Sequence, residues 1–281
     1  MLRRPLFILL ILGIATAGCD LSRGTEQLPS EQVIPGHIVF ASDRDEAHGE
    51  IYVMRDDGAH VARLTFNSVE DGDPLLSPDG TKITFRRELN PASVFVMNVD
   101  GTSQIGLAPG KRAAWSPDGT KLALIADSLS VMNADATGKH TFDVGASYVA
   151  WSPDGTKLAY VSTGIHGQAE NDIYTILPNG TGALRITTDG VAKNSLAWSP
   201  DGTKLVYGST SGVCIIPAAG GVVQSPSLGK QPRWSPDGQR IVFVTNQYDA
   251  NDEIYTIRTD GSDPRNLSGN VAAESDPDWG P

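Results

Sequence analysis

The chain has 281 residues and an acidic composition, with 33 Asp and Glu against 22 Lys and Arg and a formal net charge of −11. This excess of negative charge argues against nucleic acid and anionic lipid head groups as binding partners. The sequence has two cysteines, Cys19 and Cys214, so a framework of several disulfides is excluded.

Residues 1–18 have the composition of a cleaved export signal. Arg3 and Arg4 precede an apolar stretch over residues 6–15, and small residues come before Cys19. The stretch is short for a membrane span, whereas a basic start, an apolar middle and a small-residue end are typical of a signal peptide. Removal of residues 1–18 takes two of the 22 basic residues away and leaves the mature chain with a net charge of −13.

The end of this segment, Thr16-Ala-Gly-Cys19, resembles the lipobox of bacterial lipoproteins, with threonine where leucine is usual. The resemblance implies that Cys19 is acylated, with palmitate as a typical fatty acid, and becomes the mature N-terminus. It also implies an exported protein that is lipid-anchored to the cell membrane and faces the periplasm or the cell exterior. Residues 19–36, with Ser, Gln, Glu, Pro and Gly, are then predicted to be the lipidated N-terminus and a flexible tether. Cys214 is left with no disulfide partner.

Beyond residue 36 the sequence repeats. The tetrapeptide Ser-Pro-Asp-Gly occurs five times, at spacings of 39, 36, 47 and 36 residues, and tryptophan precedes four of the copies. Periods of 20 to 50 residues are typical of solenoids, propellers and repeat arrays. The copies begin at Ser77, Ser116, Ser152, Ser199 and Ser235.

Each repeat encodes four strands, which we call A to D. Strand A ends near the tryptophan, the tetrapeptide forms a turn, two apolar segments follow as strands B and C, and a more polar segment forms the outer strand D. Proline and glycine suit a type I turn that is followed by a left-handed residue, so we predict that the aspartates of the tetrapeptide shape the turn and carry no chemistry. The tryptophans are predicted to pack between neighbouring repeats.

Six B strands can be counted, and the first begins at His37. No strand A precedes His37, but the C-terminal segment 276–281, which contains Trp279, resembles a strand A. The sequence therefore predicts an all-β fold over residues 37–281, a six-bladed β-propeller of four-stranded antiparallel blades in which the C-terminal strand completes the first blade. An open β-solenoid is the alternative.

The segment Trp-Ser-Pro-Asp-Gly-Thr-Lys-Leu-Ala-Tyr at residues 151–160 resembles the WD-like propeller repeat of the TolB family. The resemblance covers about residues 36–281, and we expect a bacterial lipoprotein without the N-terminal α/β domain of TolB. It implies a protein-interaction or scaffold module of the cell envelope, whose partner is an envelope protein similar to the peptidoglycan-associated lipoprotein. We expect a monomer. Similar blades occur in prolyl oligopeptidase-type enzymes and in oligogalacturonate lyases.

In a propeller the B-to-C and D-to-A loops share one face, here called the loop face, and the Ser-Pro-Asp-Gly turns lie on the other, here called the turn face. Loops that vary in length indicate the working face. Carboxylates are dense in the loops of the first and sixth repeats, and arginines follow in the second and third. We predict that the loop face binds the partner through Asp43, Asp45, Glu46, Glu50, Asp71, Asp73, Arg86, Arg87, Arg112, Asp249, Asp252 and Glu253.

Two other interpretations of these charges stay open. The first is solvated loop charge without a function. The second is a weak Ca²⁺ site, because hard cations bind several oxygen ligands, although no stretch has the spacing of an EF-hand. The candidate calcium ligands are Asp43, Asp45, Asp249 and Asp252, and no other cofactor is expected.

The sequence contains no recognisable catalytic motif. It has no Gly-x-Ser-x-Gly elbow, and its five histidines form no His-x-x-x-His pair. We therefore expect a non-enzymatic protein, with an extracytoplasmic carbohydrate-binding protein or a propeller enzyme of the lyase or hydrolase type as the alternative. A broad, shallow loop face favours the first interpretation, and a funnel with converging carboxylates or histidines favours the second.

Overall fold

The computed structural model describes residues 37–45, 48–164, 167–168, 170–248 and 250–280. The predicted signal over residues 1–18 and the predicted lipidated tether over residues 19–36 lie outside the described residues, as do Glu46 and Asp249 of the predicted binding face. Within the ranges that the structure describes, no helical segment has the length and apolarity needed to cross a membrane.

The described residues form 24 strands in six four-stranded antiparallel sheets, each of which is one blade of a propeller. Within every blade the strands follow the order A, B, C, D. Blade 1 consists of β24 (Glu274–Trp279), β1 (His37–Ser42), β2 (Glu50–Arg55) and β3 (Ala62–Arg63). Blade 2 consists of β4 (Asp71–Leu76), β5 (Lys82–Arg87), β6 (Ser93–Asn98) and β7 (Ile105–Pro109). Blade 3 consists of β8 (Arg112–Trp115), β9 (Lys121–Ile125), β10 (Leu129–Asn133) and β11 (His140–Thr141).

Blades 4 to 6 repeat this arrangement. Blade 4 consists of β12 (Ala146–Trp151), β13 (Leu158–Ser162), β14 (Ile173–Ile176) and β15 (Leu184–Arg185). Blade 5 consists of β16 (Ala197–Trp198), β17 (Lys204–Ser209), β18 (Gly212–Pro217) and β19 (Gln224–Ser227). Blade 6 consists of β20 (Lys230–Trp234), β21 (Arg240–Thr245), β22 (Glu253–Arg258) and β23 (Arg265–Asn266). The predicted all-β, six-bladed propeller is confirmed.

The ring is closed by the C-terminal strand. β24 pairs with β1 in antiparallel register, from Ile38 opposite Trp279 to Ser42 opposite Glu274. The Gly280 N–H also donates to the His37 carbonyl at 2.8 Å. The open solenoid is therefore excluded, because the two ends of the repeat region lie in one sheet.

The apolar core lies between neighbouring blades. Six clusters of buried residues occupy the six joints, and each draws on two adjacent blades. At the joint of blades 1 and 2, for example, Val39 and Val53 pack in one cluster with Ile83 and Phe85. The B strands are covered on both faces, which explains why they are continuously apolar rather than alternating; all five residues of β13 are buried.

The Ser-Pro-Asp-Gly turns have the predicted structural role. In blade 2 the Ser77 hydroxyl donates to the Asp79 carboxylate at 2.6 Å, the Thr81 N–H donates to the same oxygen at 3.0 Å, and the Lys82 N–H donates to the Ser77 hydroxyl at 2.9 Å. The other four copies repeat these bonds. Gly80 has a φ of 68°, a left-handed conformation that glycine adopts without strain.

Tryptophan packing between blades is also confirmed for Trp151. It is 9% exposed, and its indole N–H donates to the Ala114 carbonyl of the preceding blade at 3.1 Å. The turns contact one another as well. A Cβ added at Gly155 would lie 3.4 Å from Cγ of Pro117 in the preceding turn, so adjacent turns are in van der Waals contact around the turn face.

Candidate functional site

Two predicted binding residues, Glu50 and Glu253, lie inside the blades. Glu50 is fully buried and accepts hydrogen bonds from the Arg63 guanidinium at 3.0 Å and the Asn67 N–H at 3.1 Å. Glu253 accepts the Asn270 N–H at 3.2 Å. Asp172 takes the same position in blade 4, bonded to the side chain of Arg185. Glu50 and Glu253 begin a C strand and Asp172 directly precedes one. Each carboxylate ties this strand to the chain that follows strand D, so its charge is directed into the protein.

Asp71 and Arg87 form a second internal pair. The Arg87 Nε and Nη2 donate to the two Asp71 oxygens at 2.7 and 2.8 Å, and Asp71 is fully buried. Paired guanidinium and carboxylate groups of this geometry are strong and directional. Arg87 also lies over the rings of Phe85 and Phe95. This pair therefore stabilises blade 2 at the edge of the loop face.

The candidate calcium ligands are spread over separate contacts. Asp43 accepts the Ala273 N–H at 2.9 Å, Asp45 accepts the Tyr52 hydroxyl at 2.8 Å, and Asp252 accepts the Lys230 ammonium at 2.7 Å. Among the described residues, no three acidic, histidine or cysteine side chains form a group that could hold a metal ion. Asp249 lies outside them, so the calcium site stays a prediction.

Polar side chains from all six blades converge where the inner strands line the central channel. Each lies three residues before the tryptophan of its blade, or before Leu76 in blade 2. They line a narrow cavity of about 30 Å³, which has room for one or two water molecules. We call this set the channel ring; it comprises Asp276, Asp73, Arg112, Tyr148, Ser195 and Gln231, from blades 1 to 6 in order.

The backbone is strained at three members of the channel ring. Asp73, Gln231 and Asp276 have φ values of 50°, 54° and 51°, and each precedes a proline. Proline cannot donate to the strand ladder, and the pairing of β4, β20 and β24 with their B strands shifts register at these positions. A left-handed conformation costs most residues with a side chain about 1–2 kcal/mol and aspartate less. Three of the eight described non-glycine residues with positive φ lie in the channel ring, and such backbone occurs at functional sites.

Arginines surround the Asp73 carboxylate. The Arg112 Nε donates to one oxygen at 3.0 Å and the Arg86 Nε donates to the other at 2.9 Å. The Arg112 guanidinium also lies over the Tyr148 ring, 4.2 Å from its centroid. The predicted residues Asp73, Arg86 and Arg112 are thus brought together, and they link blades 2, 3 and 4.

On the other side of the ring, Gln231 contacts both of its neighbouring blades. Its backbone N–H donates to the Asn194 side-chain oxygen of blade 5 at 3.1 Å. Its side-chain oxygen accepts the Asp276 N–H of blade 1 at 3.1 Å, and its amide donates to the Asp276 carboxylate. Hydrogen bonds therefore connect blade 6 to blade 5 on one side and to blade 1 on the other.

Two carboxyls of β24 have raised pKa values. Burial raises the pKa of Asp276 to about 6, and the neighbouring Asp73 carboxylate adds to this increase while Arg112 and Arg233 oppose it. Burial also raises the pKa of Asp278 to about 6, opposed by Arg233. The Asp278 carboxylate accepts the Leu76 N–H at 2.9 Å. Both groups can change protonation near neutral pH.

Below the channel ring the channel widens toward the turn face. There it forms a cavity of about 460 Å³, which we call the tryptophan funnel. All five tryptophans of the chain line it together with Leu76, and prolines of the Ser-Pro-Asp-Gly turns form its rim. The tryptophans are Trp115, Trp151, Trp198, Trp234 and Trp279.

Of the six channel-ring residues, the sequence predicts only Asp73 and Arg112 as site residues. Asp276 falls in the predicted C-terminal strand A without a role of its own, and the sequence does not single out Tyr148, Ser195 and Gln231. The signal was present, since the position three residues before each tryptophan is polar in every tryptophan-bearing repeat. Counting back from the repeated tryptophan would have placed one polar side chain per blade on the channel wall.

Solved structures share this architecture. TolB from Acinetobacter baumannii superimposes with a TM-score of 0.74 at 19% identity, over 88% of this chain and 67% of that chain. A putative TolB from Agrobacterium tumefaciens has a TM-score of 0.65 at 16% identity, over 87% of this chain and 98% of that chain. A chain of a nidogen/laminin complex has a TM-score of 0.67 at 13% identity, with the same coverage of 87% and 98%.

This chain has the fold of a TolB-like propeller. At identities below 20% the likeness shows the fold alone, and function has to be argued from the site. No family model matches the sequence, and no curated protein matches it.

Proposed function

We propose that this protein is a non-enzymatic interaction module of the cell envelope, which binds a protein partner across its loop face with the channel ring at the centre. The observation that carries the proposal is the channel ring itself. It joins charged and polar side chains from six blades at one point, and three of them are held on strained backbone. Preorganised charged groups give specificity to a protein interface.

The size of the cavity at the channel ring favours a protein partner over a small molecule on the loop face. Sites for small molecules occupy about 300–1,000 Å³, whereas the cavity at the channel ring holds about 30 Å³. A partner can instead lie across the rim and reach the ring with single side chains. TolB structures and a nidogen/laminin complex are among the structural neighbours, and the nidogen/laminin complex is an assembly of proteins.

The proposed anchor is a lipid on Cys19, and the fold supports a consistent orientation. The first described residue, His37, lies beside Gly280 at the turn face, so the described chain begins on that side of the propeller. A membrane-bound Cys19 would direct the loop face away from the membrane, toward a partner in the periplasm or outside the cell. Metabolic labelling with a fatty acid analogue should mark the parent chain and leave Cys19→Ser unlabelled.

A carbohydrate-binding protein or a propeller enzyme is the second candidate, because two carboxyls with pKa values near 6 approach the channel. Such groups are suited to acid and base catalysis at neutral pH. Their contacts argue against it. Asp276 is bonded to Gln231 and Asp278 to the Leu76 N–H. The two carboxyls also line different cavities, since Asp276 lines the cavity of about 30 Å³, which is too small for a sugar ring, and Asp278 lines the tryptophan funnel.

The test is site-specific photo-crosslinking of the full chain in its native envelope, followed by mass spectrometry. The crosslinker is placed at Leu89 or Tyr248, which lie 43% and 50% exposed in B-to-C loops, and at Thr120 of a turn as the matched control. We expect one protein to be captured from both loop positions and not from Thr120. Capture from Thr120 alone, or a polysaccharide captured at the loop positions, would contradict the proposal.

A further inference from the structure

The tryptophan funnel is a mainly apolar concavity on the face opposite the proposed binding site, with Arg233, Ser235 and Asp278 as its polar lining residues. It combines the five tryptophans and Leu76 with Pro78, Pro153, Pro200 and Pro236 of the turns. Its volume of about 460 Å³ lies in the range of sites that hold a ligand. Covering apolar surface of this kind is favourable, since its contact with water is removed.

Blade 2 contributes a smaller side chain to the wall of the funnel than the other five blades do. Five blades carry tryptophan at the end of strand A, and blade 2 carries the smaller Leu76. Gly280 lies directly beside this position, because a Cβ added there would lie 2.6 Å from Cδ1 of Leu76. The Gly280 N–H donates to the His37 carbonyl at 2.8 Å. The chain therefore enters the propeller next to the side of the funnel that has the smaller wall residue.

We propose that the chain's own segment 28–35 docks in the tryptophan funnel. This segment reads Leu-Pro-Ser-Glu-Gln-Val-Ile-Pro and holds Leu28, Val33 and Ile34, three of the four large apolar residues between Cys19 and His37. Eight residues separate Leu28 from His37, and the nine steps along the chain span at most about 30 Å. Extended segments that contain proline bind grooves lined by aromatic side chains. Pro29 and Pro35 place a proline near each end of the segment.

Covalent connection favours this occupant over a second molecule. A segment that is joined to the rim of its own site has an effective concentration in the millimolar range, so weak affinity suffices. A second copy of the chain would have to overcome the repulsion between two molecules of net charge −13. The inference is independent of the proposed partner on the loop face, because the two sites lie on opposite faces.

Intrinsic fluorescence tests the proposal on the full-length exported chain, since every tryptophan lines the funnel. We expect Val33→Ser with Ile34→Ser to shift tryptophan emission to longer wavelength and to increase its quenching by acrylamide. Ser30→Ala with Gln32→Ala, in the same segment, should leave both unchanged. Equal quenching in all three proteins would overturn the proposal, as would a difference that vanishes on dilution and so indicates a second copy.

A photo-crosslinking residue in place of Val33 gives an independent measurement. The expected product is a crosslink within one chain to a peptide of the funnel wall, such as residues 149–153 or 196–200. A crosslink to lipid, to a second copy of the chain or to the loop face would contradict docking in the funnel. These outcomes do not depend on whether the loop face binds a protein, so failure of one proposal leaves the other untouched.

Discussion

Gln231 and Asp276 form two hydrogen bonds with each other across the joint between blades 6 and 1, where the propeller closes. The Gln231 amide donates to the Asp276 carboxylate, and its oxygen accepts the Asp276 N–H at 3.1 Å. Gln231 belongs to blade 6 and Asp276 to the C-terminal strand of blade 1. Both have positive φ, so the closure of the ring and the strained backbone of the channel meet in one pair of residues.

Substitution of Gln231 should weaken the closed ring. We expect Gln231→Ala to lower the free energy of unfolding by about 1–3 kcal/mol, because it leaves the Asp276 N–H without its acceptor. Gln231→Gly should lose less, since glycine adopts a φ of 54° without strain. Urea denaturation measures both, with the exposed Gln239→Ala as control. Equal stability of Gln231→Ala and Gln239→Ala would show that the two hydrogen bonds between Gln231 and Asp276 contribute nothing to the free energy of unfolding.

Removal of β24 should prevent stable closure. Truncation after Ala273 takes strand A from blade 1 and exposes the apolar edge of β1, and exposed edges of this kind promote aggregation. We expect an aggregating, protease-sensitive product in size-exclusion chromatography and limited proteolysis. Trp279→Ala is the milder test and should cost less than the roughly 3–5 kcal/mol of a fully buried tryptophan, because Trp279 is only half-buried. Val271→Ala, 98% exposed, should be neutral.

Glu50 should act in stability and not in partner binding. Glu50→Ala leaves the Arg63 guanidinium and the Asn67 N–H without their buried acceptor, and breaking a buried ion pair costs about 3–5 kcal/mol. Thermal melts should show the loss. Glu50→Gln keeps one acceptor oxygen, so it should retain part of the stability that Glu50→Ala loses. If the folded Glu50→Gln protein lost its partner at unchanged stability, Glu50 would belong to the binding surface after all.

Stability should rise as pH falls from 7 to 5. Asp276 and Asp278 have native pKa values near 6 against an ordinary value of 3.8, so the folded state binds protons that the unfolded state does not. The gain over this window is about 1 kcal/mol for each carboxyl. Carboxyls with lowered pKa values, such as Asp118 at about 2, lose their stabilising effect only below this window, as pH falls through about 4 toward 2.

The variant Asp278→Asn isolates this effect, because asparagine can still accept the Leu76 N–H. The melting temperature of Asp278→Asn should rise less between pH 7 and 5 than that of the parent. His37 has a lowered pKa and acts in the opposite direction, but it is present in both proteins and cancels in the comparison. Identical pH profiles would refute the raised pKa of Asp278.

Most of the fold could be predicted from the sequence, because its repeat is punctuated by residues with fixed backbone roles. Proline and glycine mark every A-to-B turn, and the tryptophan marks the end of strand A, so the blades can be counted. The segment around Trp279 then supplies the missing strand A of blade 1. Exact strand lengths were less accessible. The D strands of four blades have two residues each, and as the outer strands of their sheets they have a ladder partner on one side only.

The candidate site was harder to predict, because charge alone does not tell a solvated carboxylate from a buried one. Glu50 and Glu253 look like loop charges, yet each begins a C strand and pairs inside its blade. Gln231 and Tyr148 carry no obvious chemistry in the sequence. They become neighbours of Asp276 and Arg112 only when six distant inner strands meet around one channel, and that arrangement requires the closed ring.

The affinity for the captured partner tests the central claim most directly. Arg112→Gln removes the contacts of the channel ring with Asp73 and Tyr148, and Lys121→Gln removes an exposed charge on the turn face as the matched control. We predict that Arg112→Gln raises the dissociation constant about tenfold or more, as loss of a central interface residue does, while Lys121→Gln leaves it unchanged. Undiminished binding by a folded Arg112→Gln protein, or equal weakening by Lys121→Gln, would contradict a binding site at the channel ring.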